Sequence, residues 1–261
     1  MLKLEVIKNN NAILFLLFFI PSLHFWTGFL GKEALLFWLM VILLQNIKQR
    51  NYDWRILTSL LFIFFIRPHV FIVLIGAIII VALFSTEFSK KYKMQIILFT
   101  FLAIVIGVAV FILYYLKIDN LNLESIENYR ESFLSFSKTD SGASAISIEN
   151  TTILTRIFYL IFMPLPFLYQ FTNNFQLLLS IENVYLVLGV VVVLFFWIKT
   201  PFRYRNLSID TQFALVASLL LIILFGAYLY NLGLGNRMRV MFLPFLFYFF
   251  IKSINFNRIQ N

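Results

Sequence analysis

The stretch Phe64-Phe65-Ile66-Arg67-Pro68-His69-Val70-Phe71 decides how this chain folds, because it interrupts the long apolar run of residues 54–84 with an arginine, a proline and a histidine. A charged side chain in the middle of a bilayer is costly, and a proline removes a backbone donor from a helix. The run is therefore either one helix that is broken for a purpose or two helices joined by a tight turn.

The charges on both sides of this run favour the tight turn. Basic residues lie at its start and after its end: Lys48, Arg50 and Arg55, then Lys90, Lys91 and Lys93. Short basic loops lie on the cytoplasmic side of a membrane, so an even number of crossings must separate these two. The sequence therefore predicts two short spans, residues 54–66 and 70–85, with Arg67-Pro68-His69 at the outer turn.

The composition is typical of a helical membrane protein. Hydrophobic residues make up 61% of the chain and charged residues 13%, whereas soluble domains carry about 25% charged residues. The absence of Cys and the presence of only two His exclude disulfides, thiolate metal sites and a His-rich metal centre. We expect an all-α integral membrane protein that forms a single transmembrane domain over residues 1–261.

The net charge of +9 has two interpretations. In a soluble protein it would indicate nucleic-acid binding, but basic cytoplasmic loops give a membrane protein the same excess. We favour the second interpretation, so we expect contact with the lipid bilayer and no nucleic acid as a partner. Residues 1–11 precede an apolar segment without a small-residue cleavage site, which indicates an uncleaved anchor.

The other apolar segments bring the prediction to about eight transmembrane helices, several of them short or broken. A span needs about 20 apolar residues, or fewer where its end is enclosed in protein. Besides the two described above, the predicted spans are residues 12–20, 33–47, 94–116, 182–198, 211–230 and 240–251. This arrangement places both termini in the cytoplasm.

Residues 118–181 form the predicted extracytoplasmic loop. Its first part is acidic, and its apolar segment 153–171 contains Arg156 and the motif Pro164-Leu165-Pro166. If that segment crossed the membrane, the basic loop after residue 198 would lie outside, against the positive-inside rule. We therefore predict a periplasmic interfacial or re-entrant helix there.

Basic residues and a histidine gather at the predicted outer ends of the short spans, where few are expected. They are Lys32, Arg67, His69, Arg156, Arg237 and Arg239. Arginine and lysine at such positions either bind a ligand or extend to lipid phosphates without a further role. Guanidinium groups bind phosphate in pairs of hydrogen bonds, and a lysine adds a point charge. A polyprenyl pyrophosphate, with its tail in lipid and its head group at the interface, fits this set of residues.

Glu33 is the one carboxylate close to a span start on the first outer loop. Two roles are open to it: a general base, or an ion-pair partner for an arginine of the basic set. We favour the ion pair.

Four motifs occur in a fixed order along the chain: Pro21-Ser-Leu-His-Phe-Trp-Thr-Gly…Gly31-Lys-Glu, Ile66-Arg-Pro-His-Val, Phe162-Met-Pro-Leu-Pro-Phe and Asn231-Leu-Gly…Arg237-Met-Arg…Leu243-Pro-Phe. With these motifs, residues 17–249 resemble a group of bacterial multispanning proteins from polysaccharide gene clusters. That group is similar to O-antigen polymerases and ligases, or to lipid-linked-sugar glycosyltransferases. Its members begin further upstream, so we expect this chain to be a shortened member.

The resemblance implies a metal-independent, inverting sugar transfer on the outer face of the bacterial cytoplasmic (inner) membrane, with no cofactor. Arg67, Arg237 and Arg239 would hold the pyrophosphate of a polyprenyl-linked donor sugar. His69 would be the base, because an imidazole titrates near neutral pH. The acidic loop would cover the acceptor glycan, with Arg130 contributing hydrogen bonds.

Three other functions stay open at this point. A metal-dependent lipid-sugar transferase would need acidic residues on the first outer loop, where Glu33 is the only candidate. A flippase for lipid-linked sugars would need polar residues through the depth of the membrane, and the spans are apolar. A non-catalytic assembly subunit agrees with the short length of the chain.

Overall fold

The computed structural model describes residues 21–28, 31–49, 54–85, 123–139, 145–166, 174–199 and 207–259, together with positions 101, 105, 108, 109 and 112. The described segments contain nine helices: α1 (Pro21–Gly28), α2 (Lys32–Gln49), α3 (Trp54–Ile66), α4 (Pro68–Phe84), α5 (Leu123–Thr139), α6 (Ile153–Phe162), α7 (Asn174–Lys199), α8 (Ile209–Ala227) and α9 (Leu232–Ile259). Apart from those single positions, the predicted spans 12–20 and 94–116 lie outside the described residues, as do residues 1–11, which precede the predicted uncleaved anchor.

Two helices are long and apolar enough to cross a membrane, Ile209–Ala227 and Leu232–Lys252. Helices α3, α4 and α6 and part of α7 are also apolar but shorter. The all-helical class is confirmed for the described part of the chain, which has no β-structure beyond one isolated bridge. The count of eight spans stays a prediction.

The run of residues 54–84 is broken at Arg67. This residue leaves the helical conformation, with φ −148° and ψ 81°, and Pro68 occupies the first turn of the next helix. The break has a local cause, because a residue that precedes proline is pushed towards extended backbone and proline fits the first turn of a helix. The second helix therefore begins at Pro68 and not at residue 70 as predicted, which places His69 in its first turn.

The chain also bends sharply at this break. The rings of Phe64 and Phe71 lie on opposite sides of Arg67, yet their centroids are 5.2 Å apart in an edge-to-face arrangement. On one straight helix, seven residues correspond to a rise of about 10 Å, which would keep these rings apart. Helices α3 and α4 are therefore two elements that meet at an angle.

Helix α9 begins earlier than the sequence predicts. The predicted span starts at residue 240, but the glycine-containing stretch before it is helical from Leu232 onwards. Asn231 caps this helix, since its side-chain oxygen accepts a hydrogen bond from the backbone N–H of Gly233 at 2.7 Å. A side chain at Gly235 would come within 3.0 Å of Leu229, so glycine lets this first turn pack closely.

Helix α7 also begins earlier, at Asn174, whereas residue 182 is the predicted start. Glu182 and Asn183 suggest a helix end by their polarity, but both lie inside the helix and are buried. Asn183 donates a hydrogen bond to the backbone oxygen of Pro164 at 2.7 Å. Contacts with another part of the chain therefore make these polar residues acceptable within a helix.

Helix α6 covers ten residues of the segment that was predicted to be interfacial or re-entrant. Its length is about 15 Å, half of the roughly 30 Å that a bilayer core requires. It packs against α7, α8 and α9 and is therefore part of the bundle.

Helix α8 occupies the centre of the bundle, in contact with α2, α4, α6 and α9. Its Phe213 packs edge to face on Phe245 of α9, with ring centroids 5.6 Å apart. Large apolar side chains are exposed elsewhere, including Trp54, Leu57 and Phe65 on α3. An exposed apolar surface of this kind is unfavourable in water and suits contact with lipid.

Candidate functional site

Two arginines from separate parts of the fold contact the same carboxylate oxygen, Oε1 of Glu33. Arg237 donates to it through Nε at 2.6 Å and lies within 2.5 Å through Nη2. Arg67 donates to the same oxygen through Nη2 at 3.0 Å. We call Glu33, Arg67 and Arg237 the Glu33 cluster. It joins two residues, Arg67 and Arg237, from motifs that are 170 positions apart in the sequence.

The cluster forms where helices begin or break. Glu33 lies in the first turn of α2, a position that favours a negative charge because of the helix dipole. Arg67 is the residue that breaks the chain between α3 and α4, and Arg237 lies in the second turn of α9. One end of the bundle therefore carries all three, and we refer to it as the Arg67 end.

The carboxylate is the buried member of the cluster, and the two guanidinium groups are more open. The side chain of Glu33 is 7% exposed, that of Arg67 22% and that of Arg237 38%. The two ion pairs with Arg67 and Arg237 stabilise the charged form of this carboxylate. Glu33 is thus ionised at neutral pH, and the cluster has one net positive charge.

His69 lies two residues after Arg67 and packs between aromatic rings. Its ring is edge to face with both Phe225 and Tyr228, each at 6.3 Å between centroids. Burial, and then the positive charge of Arg67, lowers the pKa of His69 to about 4. The imidazole is therefore neutral at neutral pH. Tyr228 was not predicted from the sequence, because it follows directly on an apolar helix like an ordinary interfacial tyrosine.

The structure does not bring Arg239 into the cluster. Its side chain is fully buried, and its three nitrogens donate to the oxygens of Leu160 at 2.8 Å, of the Asn183 side chain at 2.6 Å and of Met163 at 2.5 Å. Its predicted role in binding pyrophosphate therefore has no geometric support. Arg239 instead holds the end of α6 against α7, where the last carbonyl groups of a helix need donors. Asn183 was missed in the sequence, since nothing local marks it as a partner.

The other predicted binding residues are spread around the same end. Lys32 is exposed beside Glu33. Arg156 lies half-buried on α6, and Arg130 is exposed on α5. Helix α5 reaches the turn before α9 through Phe133, whose ring lies 6.0 Å from that of Tyr230.

The segment before α6 also contacts this turn. The N–H of Ile146 donates to the backbone oxygen of Tyr230 at 2.7 Å, next to the antiparallel bridge between Ala145 and Asn231. The loop segment and α5 therefore both contact the turn between α8 and α9, which neighbours the Glu33 cluster through Tyr228.

No group of three or more His, Cys, Asp or Glu side chains lies close enough to hold a metal ion within the part of the chain that the structure describes. Among the described residues, the charged groups that meet at the Arg67 end are those of the Glu33 cluster.

Comparison with known proteins adds no family to this description. No protein-family model, curated protein sequence or solved structure matches the chain. The resemblance to polymerases and ligases of polysaccharide gene clusters stays an expectation that rests on the four sequence motifs.

Proposed function

We propose that this chain is a membrane glycosyltransferase-like protein of cell-surface polysaccharide assembly, which binds a polyprenyl-pyrophosphate-linked sugar and transfers or polymerises it onto an acceptor glycan. The observation that carries the proposal is the convergence of Arg67 and Arg237 on the buried Glu33. Two arginines held next to each other, each partly exposed, form a suitable site for phosphate oxygens.

Glu33 acts in this proposal as a positioning residue. It lies beneath the two arginines and is less exposed than either. A phosphate group therefore approaches from the open side while the carboxylate keeps the guanidinium groups in place, which lowers the entropy lost on binding. With the exposed Lys32, the net charge of the site becomes +2, matching a pyrophosphate diester that carries one negative charge on each phosphate.

Neither candidate base is well suited to accept a proton at neutral pH. Glu33 is engaged in ion pairs with two arginines, and the pKa of His69 is about 4. A general base works best when its pKa lies near the working pH. This observation favours a second candidate function, a non-catalytic subunit that binds the lipid-linked sugar for a partner enzyme.

The proposal includes the predicted membrane arrangement. Eight spans with both termini in the cytoplasm would place the Glu33 cluster at the outer face, where the polar loop of residues 118–181 also lies. Helix α6 supports this arrangement because it is too short to cross. Arg130, which is exposed on α5, would then face the acceptor glycan.

Transfer by the purified protein tests the proposal. The full chain, reconstituted in lipid nanodiscs, is given a polyprenyl-pyrophosphate-linked sugar and an acceptor glycan. Arg67→Ala and Arg237→Ala are expected to lower transfer at least about tenfold at subsaturating donor, because a hydrogen bond to a charged group is worth about 1.5–3 kcal/mol. Arg55→Ala is the matched control, since Arg55 is an exposed arginine at the other end of α3.

Donor binding, measured in the same nanodiscs, separates the two functions. Transfer that depends on both arginines supports the enzyme. Binding that depends on them without any transfer supports the assembly subunit. Unchanged donor binding in both variants would remove the Glu33 cluster from the proposal.

A further inference from the structure

Helix α6 is firmly held at its C-terminal end. Arg239 donates to the backbone oxygens of Leu160 and Met163, and Asn183 donates to that of Pro164. Both donors are buried and belong to the neighbouring helices α9 and α7. This end of α6 is therefore fixed by hydrogen bonds to two other elements.

The middle of α6 is also closely packed. A side chain carbon added at Gly226 of α8 would lie 2.5 Å from Cγ1 of Ile157, so the two helices touch without room for one more methyl group. The first turn, in contrast, exposes apolar side chains, with Leu154 74% and Ile153 41% accessible. Packing along the helix therefore decreases towards its N-terminal end.

Arg156 lies in this less packed part of the helix. Its Nε and Nη1 atoms are enclosed, and neither has a hydrogen-bond acceptor among the described residues. An enclosed charged donor without an acceptor is strongly unfavourable. Arg239, only a short distance along the same interface, shows that this fold does supply acceptors where an arginine is needed for structure.

We infer that Arg156 binds a phosphate-type oxyanion at a site separate from the Glu33 cluster. The side chain is half-buried, so part of it already reaches the surface of the protein. An outward rotation of its guanidinium group, helped by the weak packing of the first turn of α6, would present Nε and Nη1 to the anion. The inference does not depend on sugar transfer, and the anion is either the head group of a membrane lipid or a soluble phosphate compound.

Thermal unfolding of the full chain in neutral detergent tests this inference. Arg156→Met is expected to raise the unfolding temperature by about 2–6 °C without added anion, because it removes an enclosed charge that has no acceptor. Arg55→Met, which changes an exposed arginine, is expected to stay within about 2 °C of the unchanged chain. A lower unfolding temperature for Arg156→Met, or failure of that variant to fold, would overturn the inference, since either would show that the protein itself uses this charge.

Added anions give the second measurement, with inorganic pyrophosphate and the anionic lipid phosphatidylglycerol as probes and phosphatidylcholine as the neutral comparison. At least one anionic probe is expected to raise the unfolding temperature of the unchanged chain, and Arg156→Met is expected to lose at least half of that rise. An effect of pyrophosphate assigns the site to soluble phosphates, and an effect of phosphatidylglycerol alone assigns it to lipid head groups.

The variant Arg67→Met distinguishes anion binding at Arg156 from anion binding at the Glu33 cluster of the proposed function. It is expected to retain the part of the rise that Arg156→Met loses, because the two sites are separate. No rise with either anionic probe, or an equal rise in the unchanged chain and in Arg156→Met, would overturn the inference whatever the result of the transfer experiment.

Discussion

Arg237 and Arg239 show how far a residue's role depends on the direction in which it points. They are two positions apart on α9, which places them about 200° apart around the helix axis. Arg237 reaches Glu33 and stays partly exposed, whereas Arg239 is enclosed by acceptors from α6 and α7. The sequence predicts that both arginines are unusual, but it cannot show which neighbours each one meets.

Replacing Arg239 is expected to destabilise the protein strongly. Arg239→Met keeps most of the side-chain volume but leaves three buried oxygens without their donor, at about 1–3 kcal/mol each. We expect a fall in the unfolding temperature of about 5 °C or more in detergent. Arg55→Met serves as the exposed control, and equal unfolding temperatures for the two variants would contradict the assigned role.

The pH dependence of stability is expected to report on His69. Its pKa is 6.5 in the unfolded chain and about 4 in the folded protein, so the unfolded state takes up protons first as the pH falls. The stability from the neutral imidazole is therefore complete above pH 6.5 and is lost between that pH and about 4.

Unfolding temperatures measured from pH 8 to pH 5 check this expectation. The unchanged chain is expected to lose stability below pH 6.5, and His69→Asn is expected to show a flatter profile because asparagine does not titrate. Parallel profiles for the two proteins would show that His69 is not enclosed as described.

The position at which a helix begins or breaks can be predicted from the sequence only where neighbouring residues in the chain determine it. The break at Arg67 was predicted because an arginine and a proline interrupt an apolar run and the short basic loops on both sides require an even number of crossings. The starts of α7 and α9 were predicted too late, because Asn183 and the glycines near Arg237 suggest helix ends until their partners are known. An ion pair between Glu33 and an arginine was favoured from the sequence, but neither Arg67 nor Arg237 was identified as the partner.

The break is expected to depend on Pro68. Spin labels on cysteines at positions 54 and 84, in a chain without native Cys, report the distance across α3 and α4 by pulsed electron resonance. One straight helix would separate these positions by about 45 Å, and we expect a clearly shorter distance for the bent chain. Pro68→Ala is expected to lengthen it, because Arg67 then regains access to helical backbone.

Pro244→Ala is the control for this measurement, since it changes a proline inside α9 and leaves the break untouched. An unchanged distance in Pro68→Ala would show that packing, and not the proline, maintains the bend.

For the whole molecule, the distribution of charge along the bundle suggests which end faces outward. The Arg67 end carries the Glu33 cluster, and Tyr230 beside it contacts both Ile146 and Phe133. The opposite ends of α2 and α3 carry Lys48 and Arg55, both exposed. Charge counting along the sequence predicts this polarity, but it cannot supply the packing of α6 against the bundle, which needs residues distant in the chain.

Labelling from outside the cell checks the orientation. Single cysteines at Lys32 and Gly233, both exposed at the Arg67 end, are expected to react with a membrane-impermeant maleimide in intact cells. A single cysteine at Gln49 is expected to react only after the membrane is opened. The reverse pattern would place the Glu33 cluster in the cytoplasm and exclude a site on the outer face.

The bond between Arg239 and Asn183 also affects how the protein is made. These residues are 56 positions apart, so during synthesis α7 leaves the ribosome well before its partner on α9 exists. If α7 crosses the membrane as the sequence predicts, Asn183 and the nearby Glu182 lack this partner until α9 is made, and polar groups are penalised in a membrane helix. We therefore expect a chain cut off before residue 239 to be retained by the translocon or degraded.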